Sequence, residues 1–314
     1  MMSSAISSPA AGSLTSRLHA VARDIKLSHS VFALPFALLA TFLAAGWTGR
    51  LPSLAELGLI VLCMVLARTV AMSINRWADA SIDAANPRTA GRAIPRGAVS
   101  RGFVLGVAIA CGAGFVLAAA GFWWLRANPW PVLLSPAVLA HLAAYSFTKR
   151  VTWGCHLVLG SALALSPLAA SLAIEPGYLA ALEPWLIAAL VTAWVAGFDI
   201  IYALQDTEVD CEQGLFSMPS RLGVGPALWI SRALHAFAAA ALLHLGWHSD
   251  QLGGLFFAAA VATAALLILE HALVWGSKTH RIPLAFLTVN GVISLLLGAA
   301  GIAEVVWLGG QPGG

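Results

Sequence analysis

The sequence predicts an all-α membrane protein, a bundle of nine transmembrane helices with a cytoplasmic N-terminus and the C-terminus on the opposite side. Of its 314 residues, 60% are hydrophobic and only 10% are charged, whereas about a quarter of the residues in soluble domains are charged. The hydrophobic residues occur in long stretches, and each helical crossing of a bilayer needs about 20 of them. Composition and stretch length together exclude a soluble domain.

Nine stretches have the length and composition of transmembrane helices. Most are rich in Ala, Leu and Val and are apolar on every face, as helices within lipid or within a bundle must be. They are residues 31–49, 55–78, 102–125, 130–148, 155–174, 183–205, 226–246, 253–275 and 283–308. We expect them to form one domain, residues 28–310, followed by a short tail at residues 311–314.

The N-terminal segment, residues 1–27, is predicted to be a cytoplasmic tail. It is rich in Ser and Ala, and a full-length apolar stretch follows it. A cleaved signal peptide instead has a short apolar core. A helix at the membrane surface is expected from about Ser16 to Ser28.

Lysine and arginine predict the orientation of the bundle, because they are enriched in cytoplasmic loops. With the N-terminus inside, 13 of the 17 basic residues lie on the cytoplasmic side. Only Arg50 and Arg126 lie on the other side, while Arg68 and Arg232 lie within helices. This asymmetry predicts a multi-pass protein of the cell's inner (cytoplasmic) membrane.

Cysteine and histidine show no spacing typical of a metal or redox site. The four cysteines form no CxxC pair, and the nine histidines form no HExxH motif. We therefore interpret the cysteines as small apolar residues and expect neither a disulfide nor a His-based metal site.

Aspartate is concentrated in two similar motifs, each at the cytoplasmic end of a predicted helix. Each motif has three polar side chains at steps of four residues. These are Asn75, Asp79 and Asp83 in NRWADASID, and Tyr202, Asp206 and Asp210 in YALQDTEVD. Residues i and i+4 share one helix face, so each motif presents two carboxylates in a row. Asp199 lies near the second row, whereas Glu208 lies about 200° around the helix from Asp206.

These carboxylate rows predict a magnesium site. Like charges at i and i+4 destabilise a helix, and burying them at a membrane boundary costs more unless a cation is present. Oxygen ligands without Cys or His favour a hard ion, Mg²⁺ before Ca²⁺ or Mn²⁺. Two facing rows can clamp a diphosphate through shared ions. The predicted metal ligands are Asp79, Asp83, Asp206 and Asp210. The alternative, aspartates that only solvate and cap helix ends, explains one such motif better than two.

Basic residues on the same side of the membrane are predicted to bind the diphosphate or a second substrate. Arginine binds phosphate oxygens bidentately, and lysine acts as a point charge. The candidates are Arg88 and Arg92 in NPRTAGRAIPRG, Lys149 and Arg150 after YSFT, and Arg68 and Arg76 on the second predicted helix. Asp199, near the second carboxylate row, is predicted to belong to the same binding group. An arginine within the membrane, such as Arg68, normally faces the bundle interior. For the loop residues, the alternative is the positive-inside bias alone.

A diphosphate held at one end of a lipid-embedded bundle implies a substrate with a polar head and an apolar tail, as in a polyprenyl diphosphate. Ionisation of its allylic C–O bond gives a carbocation, which an electron-rich hydroxylated ring can attack. Magnesium and basic side chains stabilise the leaving diphosphate.

At these residues the sequence resembles the UbiA superfamily of intramembrane aromatic prenyltransferases, over about 270 residues. The resemblance covers LSHSVFALPFAL (27–38), the NxxxDxxxD motif with its RT-x-x-R-x-x-P-x-G sequel, YSFTKR and GFDIIYALQDTEVD (197–210). It implies that the four motif aspartates bind magnesium-diphosphate and that Asn75 and Tyr202 support the site. Lys149 or Arg150 would contact phosphate or the carboxylate of a small aromatic acid acceptor.

Two departures from the family pattern concern the acceptor. Many 4-hydroxybenzoate enzymes have a basic residue where this chain has Ala80, and a GxKS-like stretch where it has GLFS (214–217). Arg76, one turn before Asp79, is a substitute for the first charge. The changes resemble a branch that makes menaquinone precursors, so a naphthoate is the alternative to 4-hydroxybenzoate.

Other functions are weaker alternatives. A membrane transporter also has many helices and buried polar groups, but it typically places ionisable groups near mid-bilayer rather than at one surface. Haem farnesylation and ether-lipid synthesis remain open within the resemblance. No nucleic-acid partner is expected.

Overall fold

The computed structural model describes residues 13–25, 31–274 and 282–309, and within these ranges the fold is all-helical with no β-strand. Its α-helices are α1 (Leu14–Asp24), α2 (Leu34–Gly46), α3 (Leu54–Ala78), α4 (Ala80–Ala85), α5 (Arg101–Arg126), α6 (Trp130–Thr148), α7 (Cys155–Ile174), α8 (Glu183–Ala203), α9 (Thr207–Glu212), α10 (Met218–Leu222), α11 (Val224–His248), α12 (Gly254–Leu273), α13 (Ile282–Leu284) and α14 (Asn290–Gly309). The predicted all-α membrane fold is confirmed.

Eight helical segments of the described chain are long and apolar enough to cross a membrane. They comprise α3, α5, α6, α7, α8 with its continuation to Glu212, α11, α12 and residues 286–308. The predicted span at residues 31–49 contains α2, which has only 13 residues and is shorter than the roughly 20 of a full crossing. Nine crossings and the sides of the termini therefore stay predictions.

The bundle closes where α2 packs in parallel against α14. A Cβ atom on Gly298 would lie 2.6 Å from Cβ of Pro35, and one on Gly46 would lie 3.2 Å from Val305 Cγ1. These glycines let the two backbones approach closely, as small residues do between membrane helices. Helix α2, near the start of the chain, is thereby joined to the last helix, α14.

Helix α8 is the most buried of the eight segments and lies between α7 and α11. At Gly160 of α7 a Cβ atom would lie 2.2 Å from the carbonyl oxygen of Thr192 in α8, so the two backbones touch. Large side chains such as Trp194 fill the other side of α8. Packing against both neighbours therefore holds α8, and the second motif at its end, in place.

The two ends of the bundle differ in chemistry. Seven exposed tryptophans lie toward one end, as expected for rings at a membrane–water interface: Trp47, Trp123, Trp124, Trp130, Trp185, Trp247 and Trp307. Two more, Trp153 and Trp229, lie toward the other end. The other end, which we call the acidic end, carries both aspartate motifs and their basic loops.

Helix α1 packs at the acidic end, against the loop and helix that follow the first motif. Its Val21 is buried with Ala93, Val99 and Val104, and Arg17 stacks on the ring of Phe103 at 3.9 Å. A helix is therefore present in the predicted segment, but it begins at Leu14 and ends at Asp24. Residues 26–28 of that prediction lie outside the described residues.

Candidate functional site

Each aspartate motif departs from regular α-helical geometry. Helix α3 ends at Ala78, and Asp79, with φ −89° and ψ 7°, is both its C-cap and the N-cap of α4. After α8 the chain forms a 3-10 turn, Leu204–Asp206, before α9. The two carboxylates of each motif therefore do not lie on one regular α-helix. The spacing still works at the first motif, because the Asp83 amide donates to the Asp79 carbonyl at 2.8 Å.

Asp79 is buried and surrounded by donors. One oxygen, Oδ2, accepts from Asn75 at 3.0 Å and lies 2.7 Å from Lys149 Nζ. The other, Oδ1, accepts from Arg150 at 3.0 Å. Arg150 also donates to the Ala78 carbonyl at 2.7 Å. Lys149 and Arg150 of the YSFTKR segment were predicted to contact phosphate or the acceptor. In the structure both pair with the carboxylate of Asp79 in the first motif.

Asp83 is held by two arginines. Its Oδ1 accepts from Arg92 at 2.6 Å, and its Oδ2 lies 3.7 Å from Nη1 of Arg76. Oδ2 is buried and accepts no hydrogen bond from any described residue. This oxygen has a free coordination position on a fully buried carboxylate.

The loop after the first motif binds the second motif. Arg88 donates through Nε to Oδ1 of Asp206 at 2.8 Å, pairs through Nη2 with Oδ2, and donates to the Tyr202 hydroxyl at 2.8 Å. Asn86 also donates to Asp206 at 2.8 Å. Burial opposes the charge on Arg88, but its hydrogen bonds to Asp206 and the nearby Tyr202 raise its pKa. Arg88 therefore stays charged across the pH range of the cell.

The remaining second-motif carboxylate, Asp210, is half-buried and forms no ion pair within 4.0 Å among the described residues. Glu208 of the same helix is exposed. The predicted difference in facing between Glu208 and the motif aspartates is therefore present. Gln213, just after α9, donates to the Ile82 carbonyl at 3.5 Å, so the motifs lie side by side.

A cavity of about 750 Å³ opens beside the motifs and runs into the bundle. Along α3 its wall extends from Arg76 to Ile60, about 24 Å at the rise of an α-helix. The interior wall is mostly apolar. The polar and charged groups of the wall include Arg23, Asp24, Arg68, Arg76, Arg88, Thr89, Arg92, Tyr145, Ser166, Asp199 and Tyr202.

Arginines, not the motif carboxylates, face this cavity. Arg88 and Arg92 line it while pairing with Asp206 and Asp83. Arg76 also lines it, and its residue exposure is only 8%. Its Nε and Nη1 atoms donate no hydrogen bond to any described residue. Buried guanidinium groups without hydrogen-bond acceptors are costly, which favours an anionic ligand here.

The acidic end fits magnesium shared with a ligand better than a metal held by protein alone. Among the described residues, no three His, Cys, Asp or Glu side chains are close enough to hold one ion. The candidate ligands are nonetheless all oxygen atoms, from two carboxylates in each motif. Oδ2 of Asp83 accepts no hydrogen bond from the described residues. Magnesium is usually held by one or two carboxylates plus substrate phosphates.

Most predicted site residues meet at this end, but several partners were not predicted. Asn86 is the first residue of the NPRTAGRAIPRG loop and was not among the predicted site residues. Tyr145 precedes the predicted Lys149 by one turn and lines the cavity. His156 pairs with Asp199 at 2.7 Å across 43 positions of sequence, and no local pattern signals such a contact. Arg68 lines the cavity as predicted and donates to the Ile25 carbonyl at 3.4 Å.

Comparison with known proteins agrees with this architecture. The model of the UbiA prenyltransferase family matches residues 33–293. The 4-hydroxybenzoate octaprenyltransferase of Chromohalobacter salexigens is 31% identical over 259 residues, which cover 82% of this chain and 83% of the relative. A similar protein of Serratia proteamaculans is 29% identical over 263 residues, with 82% and 85% covered.

Solved structures give the same family. The apo structure of a UbiA homolog from Aeropyrum pernix matches with a TM-score of 0.79 and 32% identity, covering 89% of this chain and 98% of that one. A UbiA homolog from Archaeoglobus fulgidus bound to DMAPP and Mg²⁺ matches with a TM-score of 0.69 over 91% and 99% of the chains. Its 20% identity shows the shared fold. This chain is a multi-pass membrane enzyme that belongs to the UbiA prenyltransferase family.

Proposed function

We propose that this prenyltransferase transfers a polyprenyl group from polyprenyl diphosphate to the ring of 4-hydroxybenzoate, in quinone biosynthesis of the ubiquinone type. The observation that carries the proposal is one cavity that joins an apolar interior to the acidic end. An apolar tail fits the interior, while the arginines and carboxylates of both motifs suit the diphosphate. The curated relatives are named for this acceptor.

Magnesium is the proposed ion, held by Asp79, Asp83, Asp206 and Asp210. When bound, it neutralises charge on the leaving diphosphate. Arg88 and Arg92 already face the cavity, so they can donate to phosphate oxygens when the carboxylates bind metal. Lys149 and Arg150 hold Asp79 in place, and Asn75 and Tyr202 support the two motifs by hydrogen bonds.

Arg76 is the proposed contact for the acceptor's carboxylate, with Arg68 and Tyr145 on the same cavity wall. The Arg76 guanidinium lines the cavity and can bind a carboxylate bidentately, which fixes the direction of the ring as well as its position. We place the acidic end on the cytoplasmic side of the cytoplasmic membrane, where small aromatic acids dissolve. The transmembrane domain is proposed to span residues 28–310.

A dihydroxynaphthoate of menaquinone synthesis is the second candidate acceptor. Two observations favour it. Ala80 is buried at the start of α4, where a basic residue is usual in 4-hydroxybenzoate enzymes. Phe216 stands where those enzymes have the lysine of a GxKS-like stretch. Its amide donates to the Lys149 carbonyl at 2.7 Å.

The acceptor is tested by incubating the purified protein with geranyl diphosphate, Mg²⁺ and one acceptor at a time, with products identified by mass. We expect product from 4-hydroxybenzoate and none from phenol, which lacks the carboxylate. Turnover confined to dihydroxynaphthoate would overturn 4-hydroxybenzoate as the acceptor but would still support prenyl transfer to an aromatic ring. Turnover of phenol equal to that of 4-hydroxybenzoate would remove the role given to Arg76.

A further inference from the structure

Asp199 is an acidic residue of the cavity outside the two motifs. It lies on α8, seven residues before Asp206, which is about 10 Å deeper along the helix. Phe198 and Tyr202 line the cavity on either side of it. Its side chain is 24% exposed, so the carboxylate is open to the cavity.

A buried histidine holds one oxygen of this carboxylate. Oδ2 of Asp199 lies 2.7 Å from Nδ1 of His156, which is only 3% exposed. The Met218 amide donates to Nε2 of His156 at 3.2 Å. A backbone N–H can only donate, so Nε2 is unprotonated and Nδ1 carries the proton given to Asp199. His156 therefore fixes the direction in which Asp199 points.

The other oxygen of Asp199 is unoccupied within the described part of the chain. Oδ1 forms no hydrogen bond, and no described Lys or Arg lies within 4.0 Å of the carboxylate. Asp79, Asp83 and Asp206 instead each pair with a lysine or an arginine. A carboxylate paired with a cation loses basicity. Asp199 is thus a cavity carboxylate able to accept a proton.

We propose that Asp199 is the general base of prenyl transfer, an inference that rests on the proposed function. The diphosphate leaves with the electron pair of the allylic C–O bond, and the ring carbon beside the hydroxyl bonds to the allylic carbon. That ring carbon then carries one hydrogen too many. Oδ1 of Asp199 accepts this proton, and the C–H electron pair restores the aromatic ring. The carboxylic acid then passes its proton to the released diphosphate.

The test uses 4-hydroxybenzoate deuterated at both ring positions beside the hydroxyl, with geranyl diphosphate and Mg²⁺, in single-turnover experiments. Asp199→Asn keeps the shape of the side chain and removes the base. We expect its rate to fall about 10²- to 10⁴-fold, the usual range for general base catalysis, with a primary deuterium isotope effect. Binding of non-reacting geranyl thiodiphosphate should stay within twofold of the wild type. Asp24→Asn, which changes the other acidic residue of the cavity wall, should show no isotope effect.

Two results would overturn the proposal: a slow Asp199→Asn variant without an isotope effect, or a loss of thiodiphosphate binding that matches the loss of rate. The second result would make Asp199 a binding residue. Product formation by the wild type tests the proposed function separately, since the proposed function requires it whichever residue is the base.

His156 is a positioning residue, because it reaches the reaction only through Asp199. His156→Gln keeps a donor for Asp199, whereas His156→Leu keeps none. We expect His156→Leu to lower kcat and show the same isotope effect, with KM for both substrates unchanged, and His156→Gln to recover part of kcat. Equal loss in both variants without an isotope effect would show that His156 only stabilises the fold.

Discussion

Replacing Asp79, Asp83, Asp206 or Asp210 by Asn is expected to lower turnover at least about 100-fold, on the order of 3 kcal/mol of transition-state stabilisation. Asn keeps the shape of each side chain and removes the charge that binds the metal. The loss should appear in kcat with saturating Mg²⁺ and geranyl diphosphate, measured by product mass.

Glu208→Gln is the matched control for these variants. It makes the same change of acid to amide on α9, between Asp206 and Asp210, but at an exposed position. Its turnover should stay within about twofold of the wild type, since exposed substitutions away from a site have small effects. If Glu208→Gln were as damaging as Asp206→Asn, the assignment of one helix face to the metal would be wrong.

Arg88→Gln is expected to change metal binding and diphosphate binding in opposite directions. Arg88 occupies both oxygens of Asp206 in this structure and also lines the cavity. Without it, Mn²⁺ alone should bind more tightly, because no guanidinium competes for Asp206. Affinity for geranyl thiodiphosphate should fall about 10- to 100-fold, the worth of charge-assisted hydrogen bonds of about 1.5–3 kcal/mol.

Mn²⁺ binding is measured by electron paramagnetic resonance, and thiodiphosphate binding by calorimetry. Arg96→Gln is the control, since Arg96 belongs to the same loop and carries the same charge but is exposed and does not line the cavity. It should leave both affinities unchanged. A fall in both affinities for Arg88→Gln would show that Arg88 supports the fold of the site and does not exchange partners.

The position of the two motifs at one end of the bundle could be predicted because it depends on local features of the sequence. Helical spacing put Asp79 and Asp83 on one face, and the positive-inside bias placed both motifs at one end. The transporter alternative is not supported, since the chain belongs to a family of enzymes. Family membership does not choose between the acceptors, and the changes at Ala80 and Phe216 keep both open.

Features that depend on tertiary packing could not be predicted. Asp79, at the break between α3 and α4, pairs with Lys149 and Arg150, about 70 residues away. Arg88 was expected to bind diphosphate, but its pairing with Asp206 depends on how the loop folds over α9. Hydropathy reports the length of an apolar stretch and not where its helix ends. The predicted span at residues 31–49 is therefore longer than α2, which has 13 residues.

The most direct test of the central claim, that both motifs together hold magnesium-diphosphate, is calorimetric titration of the purified protein with geranyl thiodiphosphate. Binding should require Mg²⁺, disappear with EDTA and return when Mg²⁺ is restored. Asp79→Asn and Asp206→Asn, one from each motif, should each weaken it at least about 10-fold, or roughly 1.4 kcal/mol. Binding that persists in EDTA, or that responds to only one of the two motifs, would contradict the account.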